Sequence, residues 1–120
     1  MGIVFYPTYF AWFDHATHGM FASSGRTLLD RLREDGISVP IAECGARFRA
    51  PVFADDELVV NSSAVGVKPT SLKMEHRVLR EGRVVANGFE RRVVARMGQN
   101  GRLEVTPMPD DLLTWLVEDE

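Results

Sequence analysis

A chain of 120 residues, 45% of them hydrophobic, can bury one core and is too short for two ordinary domains. Fourteen basic against seventeen acidic residues leave a net charge of -3, which excludes a chain-wide footprint for nucleic acid or an anionic membrane. The single cysteine, Cys44, excludes an intrachain disulfide framework and predicts a reducing, cytoplasmic setting.

The apolar opening from Gly2 to Phe13 fails as a targeting signal. No Lys or Arg precedes Arg26, Pro7 interrupts the run, Asp14 closes it, and its length falls short of the ~18 apolar residues of a membrane span. Pro7 instead fits the first turn of a helix, where its missing N–H costs nothing. The helix predicted from Pro7 to Phe21 carries Tyr9, Phe10, Trp12, Phe13, Ala16, Met20 and Phe21, more than one apolar stripe, and so calls for a sheet wrapped around it. Ser23-Ser24-Gly25 breaks the pattern and caps a second, peripheral helix from Arg26 to Glu34, with Leu28, Leu29 and Leu32 as its apolar stripe and Gly36 as its stop.

From Ile41 the period changes to two. Ala42, Cys44, Ala46 and Phe48 alternate with Glu43, Arg47 and Arg49, which predicts a half-buried strand. Strands follow at Glu57 to Val65 and Ser71 to Leu79, then a tight turn at Arg80 to Gly82, a long strand from Arg83 to Arg96, and a short one at Leu103 to Val105 after the Asn100-Gly101 hairpin signal. Pro107 and Pro109 end the sheet, and Asp110 to Val117 reads as a C-terminal helix. A buried helix, a peripheral helix and an antiparallel meander together make an α+β domain, with the helices on one face of the sheet.

The run Gly2-Ile3-Val4-Phe5-Tyr6-Pro7-Thr8-Tyr9-Phe10-Ala11-Trp12-Phe13-Asp14 resembles the segment of 4-hydroxybenzoyl-CoA thioesterases that leads into their central helix. Pro40-Ile41, Phe53-Ala54-Asp55-Asp56-Glu57-Leu58, Ser71 and Val105-Thr106-Pro107 match in order, so the resemblance spans the chain. It implies a hotdog fold, an antiparallel sheet around a helix, assembled as a homodimer or homotetramer with sites between subunits. It also implies hydrolysis of an aromatic or short acyl group from coenzyme A, without metal or separate cofactor, the coenzyme being part of the substrate. In the family a catalytic aspartate sits in an Asp-Pro-Ala-like turn directly before Gly-Ile-Val. Met1 stands where that turn would end, so a misassigned start or a truncation is expected ahead of a natural variant lacking both the turn and the first strand.

Thioester hydrolysis needs donors for the charge that develops on the carbonyl oxygen and a carboxylate to attack or to activate water. The resemblance assigns the first role to the backbone N–H of Tyr6, where the start of the helix adds partial positive charge. Asp14 is the carboxylate left in the matching run, and it can pair with His18 one turn on. Its ordinary alternative is a residue bonded within the subunit or at an interface. His15 and His18 have no third ligand at a recognisable spacing, which argues against zinc. For the nucleotide end of coenzyme A the resemblance points to the loop at Lys68, Pro69 and Thr70, with Ser71, Lys73 and Arg102 as further candidates, although only Lys68 keeps the charge of the family's basic cluster there. His76 falls on an apolar face and reads as a satisfied core or interface histidine. The six aromatic residues among positions 5–13 could line a pocket for a flat acyl group but contribute burial first. Two other readings stand beside the thioesterase: a hotdog dehydratase, for which no strong signature is present, and a non-catalytic acyl-CoA-binding module.

Overall fold

The computed structural model describes residues 2–118. Its elements in chain order are α1 (Pro7–Ala22), α2 (Leu28–Asp35), β1 (Ile37–Ser38), β2 (Ile41–Phe48), β3 (Val59–Lys68), β4 (Ser71–Arg80), β5 (Arg83–Val93), β6 (Ala95–Met97), β7 (Leu103–Val105) and α3 (Asp110–Glu118). A four-stranded antiparallel sheet runs β2-β5-β4-β3, and a smaller one runs β1-β6-β7. With α1 packed on the larger sheet, this is the α+β hotdog arrangement.

α1 starts as its residues dictate, with Pro7 in the first turn behind Tyr6. The segment before it is pinned to the loop after β2: the Val4 N–H donates to the Val52 carbonyl and the Ala54 N–H to that of Gly2, both at 2.8 Å. Tyr9, Phe13, Thr17 and Phe21 are the buried residues of α1, four apart, and form the stripe that faces the sheet wrapped around the helix. Phe10, Trp12 and Met20 remain half-buried. The closest approach of helix and sheet is at Gly88 on β5, where a Cβ would stand 2.2 Å from the Phe13 ring.

Several local expectations give way. Ser23 and Ser24 do not cap the second helix; their hydroxyls donate back to the carbonyls of Met20 and Phe21 and finish α1. α2 opens instead on Thr27 with a full capping box, Thr27 and Asp30 each satisfying the other's backbone N–H. Its buried residues are Leu28 and Arg31, while Leu29 and Leu32 lie exposed. The sequence predicts β2 half-buried; helix-facing Ala46 packs on the Tyr9 and Phe13 cluster, while Cys44 and Phe48 are exposed because β2 is an edge strand that α1 covers only in part. The long strand predicted from Arg83 to Arg96 divides at Val94, whose N–H turns to the Thr70 carbonyl at 2.9 Å, and β6 continues in the smaller sheet.

Two apolar clusters result. Tyr9 and Phe13 meet Val52, Val78, Val85 and Ala86 near the start of α1, while Phe21 meets Leu72, Met74, Val94, Leu112 and Leu116 near its end. α3 closes the second cluster, and Arg31 holds it through an ion pair to Asp111 at 3.2 Å.

Candidate active site

Tyr6 stands at the mouth of α1, 60% exposed, and among the described residues its backbone N–H donates to no other group. A cleft of about 340 Å³ opens beside it, walled by Val4, Tyr6, Tyr9, Phe48, Arg49 and Val52. Its aromatic wall is built, with Tyr9 edge-on to Phe48 at 4.8 Å and to Trp12 at 5.1 Å. Burial pushes the Tyr9 phenol above its ordinary value against the lowering pull of Arg80, so it stays a neutral O–H. A carbonyl oxygen placed at the helix start would meet a free donor and the positive end of the helix, in an apolar surround that strengthens both. None of the described residues lining this cleft is a carboxylate.

Asp14 lies two turns further along, eight residues from Tyr6 and so roughly 12 Å along the helix axis. Its side chain is half exposed, takes a hydrogen bond from Arg92 Nη2 at 2.7 Å, and has His18 Nε2 at 3.5 Å. The sequence pairing of Asp14 with His18 therefore forms, but Arg92 is its shorter partner. Within one chain the structure does not bring Asp14 and Tyr6 together.

Nor does it bring the proposed nucleotide contacts to the cleft. Lys68 and Ser71 face each other across the β3–β4 turn, at the end of the sheet near Phe21, while Tyr6 and Tyr9 stand at the other. That turn has a structural task, since the carbonyls of Pro69 and Thr70 accept from Met108 and Val94 and tie down the smaller sheet and α3. Lys73 sits over the Phe89 ring at 5.3 Å on the outer face of the larger sheet, and Arg102 lies in the β6–β7 hairpin.

Sequence reasoning missed a buried polar layer between the two apolar clusters. The Glu90 carboxylate, 2% exposed, accepts from Thr17 Oγ1, from His76 Nε2 at 3.1 Å, and from Arg92 Nη2 at 2.9 Å. Because a carboxylate only accepts, His76 Nε2 carries the hydrogen, and in the neutral ring the Ser62 hydroxyl donates to Nδ1 at 2.6 Å. Phe13 stacks on His76 at 4.7 Å between centroids, and Arg92 also donates to the Val39 carbonyl at 2.9 Å. Burial alone would raise the Glu90 carboxyl; hydrogen bonds from His76, Arg92 and Thr17 and the Arg92 charge outweigh it and hold it at about 2. His76 is thus the satisfied core histidine that its apolar face suggests. Among the described residues no three His, Cys, Asp or Glu gather closely enough to share a metal ion, and no helix is long and apolar enough to cross a membrane.

A family model described as the thioesterase-like superfamily matches residues 1–116. A 1,4-dihydroxy-2-naphthoyl-CoA hydrolase of Synechococcus sp. is 31% identical over 80 residues, 67% of this chain and 50% of that protein, so the match spans about half the length of that curated relative. A 4-hydroxybenzoyl-CoA thioesterase of Pseudomonas sp. is 28% identical over 93% of this chain and 84% of its own length. Among solved structures, a gentisyl-coenzyme A thioesterase superposes with a TM-score of 0.82 at 33% identity over 97% of this chain and 88% of its own. A 4-hydroxybenzoyl-CoA thioesterase mutant complexed with 4-hydroxybenzoyl-CoA does so at 0.86 and 30%, over 96% and 86%.

Proposed function

Because the chain belongs to the thioesterase-like superfamily, we propose that it is a cytoplasmic acyl-CoA thioesterase that hydrolyses an aromatic, hydroxybenzoyl-like or short-chain acyl-CoA. The observation that carries this reading is the aromatic cleft at the start of α1 with the free Tyr6 N–H at its mouth, in a fold shared with solved thioesterases of aromatic acyl-CoAs. The thioester carbonyl sits with its oxygen on the Tyr6 N–H and its acyl group against Tyr9 and Phe48. Water adds to the carbonyl carbon, the C–S bond breaks, and the free acid and the coenzyme A thiol leave. The helix start stabilises the oxyanion, a contribution that grows as the charge develops.

Asp14 is the carboxylate proposed to activate that water. From its own chain it is too far along the helix, so it reaches a carbonyl seated at Tyr6 only from another copy, and a homodimer or homotetramer is part of the reading. The same holds for Lys68, Thr70 and Ser71 as contacts for the nucleotide end. The non-catalytic acyl-CoA-binding module has no support from relatives that are named hydrolases and thioesterases, and stands only as an outcome of the test.

Release of free thiol from 4-hydroxybenzoyl-CoA, benzoyl-CoA and a short aliphatic acyl-CoA tests both. Turnover is expected to favour the aromatic thioesters, and Asp14→Asn to lower kcat by on the order of 10²–10⁴, the usual worth of a positioned general base. Undiminished turnover in the variant would remove Asp14 from the mechanism. Thioester binding without turnover, from folded wild-type protein, would leave the binding module.

A further inference from the structure

The outer face of the larger sheet, away from α1, holds a groove of about 350 Å³ that the thioesterase reading does not use. Gly45 makes it: the Phe89 ring lies across this residue, and a Cβ there would meet the ring at 2.7 Å. Half-buried Phe89 is therefore the floor, with the Lys73 ammonium 5.3 Å from its centroid. Arg47, Asn87 and Arg77 stand in register across β2, β5 and β4, so the two arginines flank one amide with their Cα atoms roughly 10 Å apart. Among the described residues neither arginine pairs with a carboxylate, although the chain as a whole is acidic. Lys73 and Arg91 do find partners, in Glu75 and Glu43.

An aromatic floor between unpaired guanidiniums suits a flat base joined to a phosphate, since the planar fork of arginine matches phosphate oxygens. One hydrogen bond links the groove to the cleft at the helix start. Arg49 lines that cleft, and its Nε donates at 2.8 Å to Asn87 Oδ1, which lines the groove. We propose that the groove takes a nucleoside phosphate, its base on Phe89 and its phosphate between Arg47 and Arg77. Such a group is supplied either by the nucleotide end of the coenzyme A substrate or by a free nucleotide. The first source rests on the thioesterase reading and, in place of the Lys68 loop of another copy, gives that substrate a path within one chain, from Tyr6 over Arg49 to the outer face.

Isothermal titration of the full chain with ADP, coenzyme A and phosphopantetheine tests it, alongside Arg47→Ala/Arg77→Ala, Phe89→Leu and Arg33→Ala, each checked for folding by its melting curve. ADP is expected to bind, more weakly as salt is added, and to lose at least about tenfold in affinity in the double arginine variant while Arg33→Ala, which removes an exposed charge on α2, leaves it unchanged. Competition between coenzyme A and ADP, with no competition from phosphopantetheine, would identify the substrate as the source. ADP binding without such competition would identify a free nucleotide. The proposal falls if ADP fails to bind at millimolar concentration, if binding ignores the arginine pair, or if Arg33→Ala weakens it as much. Hydrolysis of an N-acetylcysteamine thioester, which has no nucleotide, reads the cleft separately, so failure of the groove and failure of the thioesterase reading are distinguishable.

Discussion

Gly88 is the residue on which the seating of α1 depends most directly. The Phe13 ring that fills the space above it is fully buried and stacked on His76, so it has nowhere to move when a methyl group arrives. Gly88→Ala is therefore expected to destabilise the fold by roughly 1–3 kcal/mol, the usual cost of overpacking a tight core, as read from denaturant unfolding. A change below about 0.5 kcal/mol, the ordinary scatter of surface substitutions, would show that α1 rides more loosely than the contact implies. Nothing in the sequence around Gly88 announces this role. Tyr6 and Asp14, by contrast, could be singled out from the opening run alone; their separation along the helix follows from counting residues, whereas the hold of Arg92 on Asp14 needs the fold.

The elements themselves were legible where period and punctuation agreed. α1, β4 and α3 fall close to their sequence boundaries, and the capping box of α2 shows what decides a boundary when two polar groups compete. Thr27 wins over Ser23 and Ser24 because Asp30 three residues later reciprocates, while the serines have the last carbonyls of α1 within reach. Thr27→Ala should cost about 1 kcal/mol and fray α2 first, visible as faster amide exchange at Leu29 and Asp30; an unchanged exchange rate would deny the cap its importance. The polar layer was illegible for a different reason. Counting from the tight turn at Glu81-Gly82, both of positive φ, Leu79 pairs with Val84, and the same register would place His76 opposite Asn87. A bulge at Val85 shifts the pairing by one, so that Val78 meets Ala86 and His76 meets Gly88. One inserted residue thus turns Glu90 and Arg92 inward and sends Asn87, Phe89 and Arg91 to the outer face, where the proposed nucleotide groove lies.

For the whole molecule, the consequence is a core in two apolar halves with a charged layer between them, and that layer sets how the fold responds to acid. Glu90 ionises at about 2 when folded against an ordinary 4.5. A carboxyl depressed in this way adds stability that is complete above its unfolded value and drains away as pH falls from about 4.5 to about 2; a shift of that size is worth roughly 3 kcal/mol. Asp30, Asp56 and Asp111 are also lowered, by bonds from Thr27, from Phe53 and from Arg31 respectively, so the acid limb of the wild-type curve is a sum over several groups. The difference between wild type and Glu90→Gln isolates the buried one. At pH 7 the amide leaves Arg92 with Asp14 as its one charged partner among the described residues and supplies a weaker acceptor to His76 and Thr17, so the variant should be less stable by a few kcal/mol, as expected when one member of a buried ion pair is removed. Between pH 4.5 and 2 the two stability curves should converge, because the wild type is then protonating the group that the variant has already neutralised. Denaturant midpoints measured at half-unit steps through that window decide the matter. Parallel curves would mean that Glu90 keeps its charge-dependent interactions in the unfolded chain, or never gains them on folding, and the polar layer would then serve packing alone.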